Sequence, residues 1–434
     1  MCQKYELKNL VAAERFTEAT AYFDDPAQRE TLNEWDIYYC MKALQKTGRD
    51  ADAIELYRLF EEKYPDSQGS LAQERCADAC GWALYRTVLK NEENAADADL
   101  FRRTADRILE ISAPSSVLLR WRTVQLMLTA IQNKLFGDTP DYRLACEYLD
   151  RVDPKLLSDA ENRIDDGQGI TRSTMSDREK WYSFKSKWLL SLGEYDACIA
   201  TCEEALSVLT DFHNNNGSWF TYRKAKSELG LGHTGEAAAY VQDILDSGFE
   251  HWCLHGVLFE LAAAEGDRER AKKQAGYALR RQPDYTMCVA LLAELADFLA
   301  EEDPALACQH RRLEVLLREE KAWPVKESAL DAQIPADVAA LSVRELLGRL
   351  QPVWNRWSDL GKTFLSGTVD RILDTGNSGF IRAENGSSYY FSMRDLRCPR
   401  GRVTEGVRVR FTLKKALDRK KNEMKDTAAD ISLA

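Results

Sequence analysis

Hydrophobic positions recur every three or four residues through most of the chain and alternate in its last sixth. Residues 35–65 begin with an aromatic cluster, continue in an apolar stripe that ends at Gly48, and resume in a second stripe that ends at Pro65. Spacings of three and four place apolar side chains on one face of a helix, and Gly and Pro end helices. The pattern therefore predicts two amphipathic helices joined by a turn.

The same two-helix pattern recurs further along the chain. It is visible in residues 181–209, 219–246 and 252–283, and Ala237 and Ala271 stand 34 positions apart at matching places. These aromatic, Gly, Ala and Pro positions resemble the tetratricopeptide repeat. The resemblance implies an α-solenoid whose concave face binds a peptide or another protein. Arrays of this kind are scaffolds far more often than catalysts.

The segments between the clear repeats give weaker patterns. Residues 71–157 are predicted to be helical with degenerate repeat landmarks, and the polar, Gly-containing residues 158–177 are predicted to form a long loop. After a connector, residues 342–360 resume a helical pattern that we expect to be broken at Pro352. We interpret this last helix as a cap on the array.

The apolar period changes to about 2 from Phe364 onwards, as in half-buried strands. Gly, Asn and Asp turns separate five such segments. The predicted strands are 364–373, 378–384, 387–393, 406–414 and 427–433. Five short strands in so small a region predict a β-barrel.

Residues 367–396, GTVDRILDTGNSGFIRAENGSSYYFSMRDL, resemble a cold-shock domain, which is an OB-fold. Residues 367–369 match the opening of the family, 379–381 match the end of its first contact motif, and 389–393 fall on its second. The resemblance implies that surface aromatic residues stack unpaired bases while basic residues follow the phosphates.

The aromatic platform that the resemblance implies is incomplete. Phe380 and Tyr390 keep a ring at family contact positions. Arg371 replaces a Trp, although its guanidinium can still stack on a base. Other family contact positions are occupied by Ser378, Ser392 and Met393. These losses should weaken single-strand binding unless basic residues compensate.

Charge divides the chain in the same place. Residues 361–434 hold 15 Lys and Arg against 9 Asp and Glu, whereas the rest holds 44 against 61. A basic module on an acidic body indicates where a polyanion could bind. We predict a basic loop at 414–425, and an alternative is that this loop is a solvated arm or docks on the acidic helices. The predicted nucleic-acid-binding residues are Arg371, Phe380, Arg382, Tyr390, Lys414, Lys415, Lys420 and Lys421.

Composition and motifs argue against several classes of protein. The 434 residues contain no stretch of about 20 apolar residues that would span a membrane and no secretory signal pattern at the N-terminus. The eleven cysteines are scattered through helical patterns and are typical of a reduced, cytoplasmic protein. No nucleophile elbow or phosphate-binding loop is present, so we predict no enzyme activity and no cofactor. Same-face pairs such as Cys198 and Cys202 are interpreted as packing residues rather than metal ligands.

The leading hypothesis is a non-enzymatic adaptor. A protein or peptide binds the helical repeats, and single-stranded RNA or DNA, with RNA favoured, binds the C-terminal barrel. The alternatives are a pure protein–protein scaffold, or a regulatory subunit of a nucleic-acid-processing or anti-phage defence complex whose catalysis is on another chain. The predicted divisions are an array at 1–330, a connector and capping helix at 331–360, and the barrel at 361–434.

Overall fold

The computed structural model describes residues 6–94, 97–165, 171–280, 282–325, 334–418 and 423–434. The chain forms two compact units, Met1–Glu250 and His251–Ala434. Over the described residues, none of the helices combines the length and the apolar content that a membrane span demands.

The first unit is built from helices that pack on their neighbours in the chain. Residues Ala19, Leu44, Phe60 and Cys76 are among those buried between the first helices. The helices are α1 Glu6–Ala12, α2 Phe16–Asp24, α3 Pro26–Thr31, α4 Glu34–Lys46, α5 Asp50–Lys63, α6 Leu71–Leu84, α7 Ala98–Ile111, α8 Val117–Gln132, α9 Tyr142–Asp150, α10 Asp177–Leu192, α11 Tyr195–Val208, α12 Asn216–Gly230 and α13 Thr234–Asp246.

The predicted helical pairs are present where the repeat pattern is clear. Helices α4 and α5 cover residues 35–65, and α10 to α13 cover the next two repeats, each helix packed on the one that follows it within the unit. The matching residues Ala237 and Ala271 are both fully buried. The small side chain at this position lets the helices of a pair approach closely.

The predicted long loop at 158–177 is wrong in part. Residues Asn162–Asp165 and Thr171–Thr174 form antiparallel strands β1 and β2. The residues of β2 are mostly exposed and polar. Strand β2 therefore buries little apolar surface, and the sequence of this segment shows none of the alternation that would have predicted strands.

The second unit begins with helices whose core includes Leu292, Leu313 and Leu350. The helices are α14 Trp252–Ala264, α15 Arg268–Leu279, α16 Val289–Leu299, α17 Pro304–Glu320, α18 Ala336–Ala339 and α19 Val343–Ser358. Contrary to expectation, α19 continues through Pro352. It packs on α15 at Gly276, where an added Cβ would lie 2.7 Å from the carbonyl oxygen of Trp354.

Two aromatic residues of the last helix are held by a histidine of α17. The indole Nε1 of Trp354 donates a hydrogen bond to Nε2 of His310 at 2.9 Å, and Nδ1 of His310 donates to the carbonyl oxygen of Leu306 at 2.8 Å. The ring of Trp357 stacks on the same imidazole. The His310 side chain is fully buried. Its Nε2 therefore joins α19 to α17, while its Nδ1 bonds the backbone of its own helix.

The burial of His310 predicts a pH dependence of stability. Burial lowers the pKa of His310 from 6.5 to about 4. The unfolded chain therefore binds the additional proton between these values, and stability falls as the pH decreases from 7 to 5, by about 2 kcal/mol from this residue. Urea unfolding of the wild type and of His310→Gln at both pH values measures the effect. An equal pH dependence in the two proteins would contradict the assignment.

A closed five-stranded barrel follows the helices in the second unit. Its strands are β3 Leu365–Ile372, β4 Ser378–Ala383, β5 Ser388–Ser392, β6 Arg408–Asp418 and β7 Glu423–Leu433. The order around the barrel is β3, β4, β5, β7, β6, with β6 pairing again with β3. All pairings are antiparallel except that of β5 with β7. Inward residues Val369, Ile381, Phe391, Phe411 and Ile431 fill the interior.

These observations confirm a mainly helical chain, with solenoid-type helix pairs followed by a small five-stranded β-barrel. One part of the barrel prediction is wrong. Residues 414–418 and 423–425 of the predicted loop are strand residues, because β6 continues to Asp418 and β7 begins at Glu423, and these residues pair in register. The last two strands thus form a β-ribbon longer than the other strands of the barrel.

Candidate nucleic-acid interface

Two predicted aromatic residues lie side by side on the outer face of the barrel. Ile381 and Phe391 are fully buried in the barrel interior, so their chain neighbours Phe380 and Tyr390 face outward. Phe380 pairs directly with Tyr390 across β4 and β5, and their ring centroids are 5.7 Å apart in an edge-to-face arrangement. Tyr390 is 41% exposed and Phe380 is half-buried. Both rings therefore present surface to solvent.

Arg371 extends this pair onto a third strand. It lies opposite Phe380 in the pairing of β3 with β4, and its guanidinium carbon is 5.4 Å from the centroid of the Phe380 ring. The strands approach closely here, because a Cβ on Gly379 would lie 2.4 Å from the carbonyl oxygen of Arg371. Arg371, Phe380 and Tyr390 thus form a continuous row across three strands, which we call the stacking row.

Arg382 lies on the same strand as Phe380, two residues further along. Its guanidinium bonds the carboxylate of Asp370, with Nη2 and Oδ2 3.2 Å apart, and its side chain is 60% exposed. Exposed pairs of this kind contribute little to stability. The arginine can therefore exchange this carboxylate for another anion at small cost.

The predicted lysines do not share one surface. Lys414 and Lys415 are consecutive on β6 and so point to opposite sides of the ribbon. The ammonium of Lys414 lies 2.6 Å from a carboxylate oxygen of Asp395, and that of Lys415 lies 3.0 Å from Asp426. Lys420 and Lys421 lie outside the described residues.

Other arginines of the barrel are engaged in different ways. Arg408 pairs with Glu384 at 2.6 Å, and Arg400 donates to the carbonyl oxygen of Gly376 at 2.6 Å. Arg402 is exposed. The basic composition of the barrel is thus partly neutralised by its own carboxylates and carbonyl groups.

A group of buried charges in the second unit lies between the barrel and its helices. Asp430 receives hydrogen bonds from Arg280 at 2.7 Å, from Nε of Arg397 at 3.0 Å, and from the ammonium of Lys362. None of these side chains is more than 14% exposed. Arg397 also donates to Asp359, which follows α19. We call these residues the Asp430 cluster.

A β-bulge aims Asp430 at these cations. The pairing of β6 with β7 shifts by one residue between Arg410 and Thr412, and Asp430 takes a φ of 51° at this point. Asp tolerates the left-handed region better than most residues, and bulges commonly redirect a side chain. The local geometry therefore turns the Asp430 carboxylate out of the strand and towards Arg280 of the helical part.

The charges of the cluster support one another. Burial opposes ionisation of Asp430, but the hydrogen bond from Lys362 and the charges of Arg280 and Arg397 outweigh it and hold the pKa of Asp430 well below its usual value. Burial also lowers the pKa of Lys362, against the effect of Asp430. Arg280 and Lys362 further lie 4.7 and 4.5 Å from the ring centroid of Tyr277 on α15. The cluster thus fixes the barrel to α15 and α19.

Within the described part of the chain, no group of three or more His, Cys, Asp and Glu side chains could hold a metal ion. Cys198 and Cys202 are both fully buried in α11. The thiol of Cys198 donates to the carbonyl oxygen of Ser186 on α10. Their surroundings are those of packing residues.

Sequence reasoning named the stacking row but missed the Asp430 cluster. Arg397 is buried in the cluster, and Arg410 faces Asp359 at 3.6 Å. The partners Arg280 and Asp430 are 150 positions apart. The one local signal was Asp430, a charged residue between the apolar residues Ala429 and Ile431.

No family model matches the chain, and no curated protein matches it. Among solved structures, the TPR domain of P58(IPK) is similar, with 14% identity and a TM-score of 0.26 over 81% of this chain and 96% of that one.

Proposed function

We propose that this protein is a non-enzymatic adaptor whose barrel contacts single-stranded nucleic acid, RNA in preference to DNA, while its helical repeats hold a protein partner. The observation on which this depends is the stacking row of Arg371, Phe380 and Tyr390. Each ring or guanidinium offers a flat surface to an unpaired base, and base–aromatic stacking contributes about 1–3 kcal/mol per base.

The strand order supports the same proposal. An order of first, second, third, fifth and fourth strand, with the third and fifth parallel, is that of the OB-fold. OB-folds bind oligonucleotides on the face of their second and third strands. Phe380 and Tyr390 occupy the second and third strands of this barrel. A duplex would hide its base faces, so the row favours single strands.

Electrostatics make the expected binding moderate in strength. Arg371 and Arg402 are exposed, and Arg382 is held by an exposed carboxylate that a phosphate can replace. Ser378, at a family contact position, is buried and offers no contact. The barrel therefore presents a small number of cations beside a short stacking surface, which suits a contact of a few nucleotides.

Salt dependence tests the proposal. If two to four phosphates are neutralised, the logarithm of the association constant should fall with the logarithm of salt concentration with a slope of about −1.4 to −2.8. Filter binding of the full chain to single- and double-stranded RNA and DNA at several salt concentrations measures it. Preference for the duplex, or the absence of saturable binding at low salt, would refute the nucleic-acid part of the proposal.

A second candidate is a protein–protein scaffold in which the barrel is a docking unit. It is favoured by the pairing of Lys414, Lys415, Arg382 and Arg408 with carboxylates of the barrel itself. In that case the full chain binds no oligonucleotide under any of these conditions.

A further inference from the structure

A groove of unusual charge crosses the first helices of the first unit. Two cavities, of about 410 and 490 Å³, share Arg75, Asp78 and Trp82 as walls. The first extends over α4 and the second extends to the N-terminal end of α8. Together they form one continuous depression across α4, α6 and α8, which we call the α4–α8 groove.

One end of the groove is basic. It is lined by Lys42, Lys46, Arg75 and Arg86, and all four side chains are exposed. Arg86 pairs with Asp50 at 2.7 Å, while the other three cations make no ion pair with any described residue. Residues 1–250 as a whole hold 30 basic and 43 acidic residues. The groove therefore gathers unpaired positive charge in a unit whose net charge is negative.

The other end of the groove is apolar. Leu71 on α6 and Leu118 on α8 are each 57% exposed, and the half-buried ring of Trp82 lies between the two ends. These two leucines and the aromatic ring offer apolar surface that a bound side chain could cover. Glu74 and Asp78 also line the groove, so it is not uniformly basic.

We propose that the α4–α8 groove binds an extended, acidic peptide segment of a partner protein that contains a bulky apolar side chain. Carboxylates of the segment pair with Lys42, Lys46 and Arg75, and the apolar side chain packs against Leu71, Trp82 and Leu118. This inference rests on the proposed function in one respect, that the helical unit holds a protein partner. It adds the place where the partner binds and the chemistry that recognises it.

The size and surroundings of the groove favour a peptide over a nucleic acid. Packed helices lie about 8–10 Å apart, so a segment crossing from α4 to α8 spans about 16–20 Å, or about six extended residues. A long polyanion would be repelled by the net charge of residues 1–250 beyond the groove. A short acidic segment avoids most of that repulsion and also satisfies the apolar end.

Fluorescence anisotropy with the full chain tests the proposal. The probe is a labelled Glu-rich peptide interrupted by Leu residues, compared with the same peptide carrying Ser for Leu and with a Lys–Leu counterpart. We expect saturable binding of the Glu–Leu peptide, weaker binding of the Glu–Ser peptide and none of the Lys–Leu peptide. The double variant Lys42→Glu with Arg75→Glu should weaken binding by about tenfold or more, because two attractive charges become repulsive.

The matched control is Arg58→Glu, an exposed arginine on α5 that does not line the groove. It should bind the peptide like the wild type. Absence of saturable peptide binding, or equal losses in the groove and control variants, overturns the proposal. The proposal is also overturned if a single-stranded oligonucleotide displaces the peptide and the groove variant no longer binds that oligonucleotide. If the wild-type protein binds the peptide but binds no oligonucleotide, the barrel proposal alone is refuted.

Discussion

Replacing Asp430 with asparagine is expected to lower the free energy of unfolding of the second unit by about 3–5 kcal/mol. The change leaves Arg280, Lys362 and Arg397 buried without their shared counter-charge, and removing one partner of a buried ion pair has costs of this size. Asparagine tolerates the left-handed backbone at this position, so the effect reports charge rather than backbone strain. Urea unfolding, monitored by hydrogen exchange of the barrel amides, measures this change in the free energy of unfolding.

The matched control for this variant lies on the same strand. Asp426 pairs with Lys415 while both side chains are well exposed, at 43% and 66%. Asp426→Asn should therefore change stability by less than about 1 kcal/mol. If the two variants unfold at the same urea concentration, the Asp430 cluster does not hold the barrel to the helices in the way that its geometry indicates.

Removing both rings of the stacking row should abolish most single-strand binding. Phe380→Ala combined with Tyr390→Ala removes two stacking surfaces, each worth about 1–3 kcal/mol, so we expect a loss of about 2–6 kcal/mol in binding free energy. The barrel should stay folded, because neither ring is part of its buried interior. Filter binding of the full-length variant to a single-stranded oligonucleotide measures the loss.

A control for the double variant must remove an exposed ring elsewhere. Trp323, which follows α17, is 41% exposed and lies outside the barrel. Trp323→Ala should bind the oligonucleotide as the wild type does. Unchanged affinity in the Phe380 and Tyr390 double variant would mean that nucleic acid, if it binds, uses another surface.

Local patterns in the sequence were sufficient for much of the fold. The change of apolar period near Phe364 predicted five strands, and the structure places strands in all five segments with bounds that differ by a few residues. The outward orientation of Phe380 and Tyr390 follows from their alternation with the inward residues Ile381 and Phe391. Alternation is a property of neighbouring residues, so it can be read from the chain directly.

Features that depend on distant residues were not predictable in this way. His310 has the local appearance of a surface residue, and only the packing of Trp354 from α19 makes it a buried hydrogen-bond acceptor. Residues 414–425 carry eight Lys, Arg, Asp and Glu side chains in twelve positions, so this part of the ribbon of β6 and β7 reads as a loop in the sequence. Its strands are stabilised by pairing with each other, which no local pattern reports.

Attachment of the barrel through buried charges affects how an ionic-strength experiment should be interpreted. Mobile ions screen exposed charges strongly and buried ones weakly. The Asp430 carboxylate is 13% exposed, whereas the side chain of Arg382 is 60% exposed. Added salt should therefore weaken ionic contacts between a ligand and the outer face of the barrel at concentrations that leave the Asp430 cluster intact. A protein with this arrangement can release a polyanion while the geometry of its second unit stays fixed.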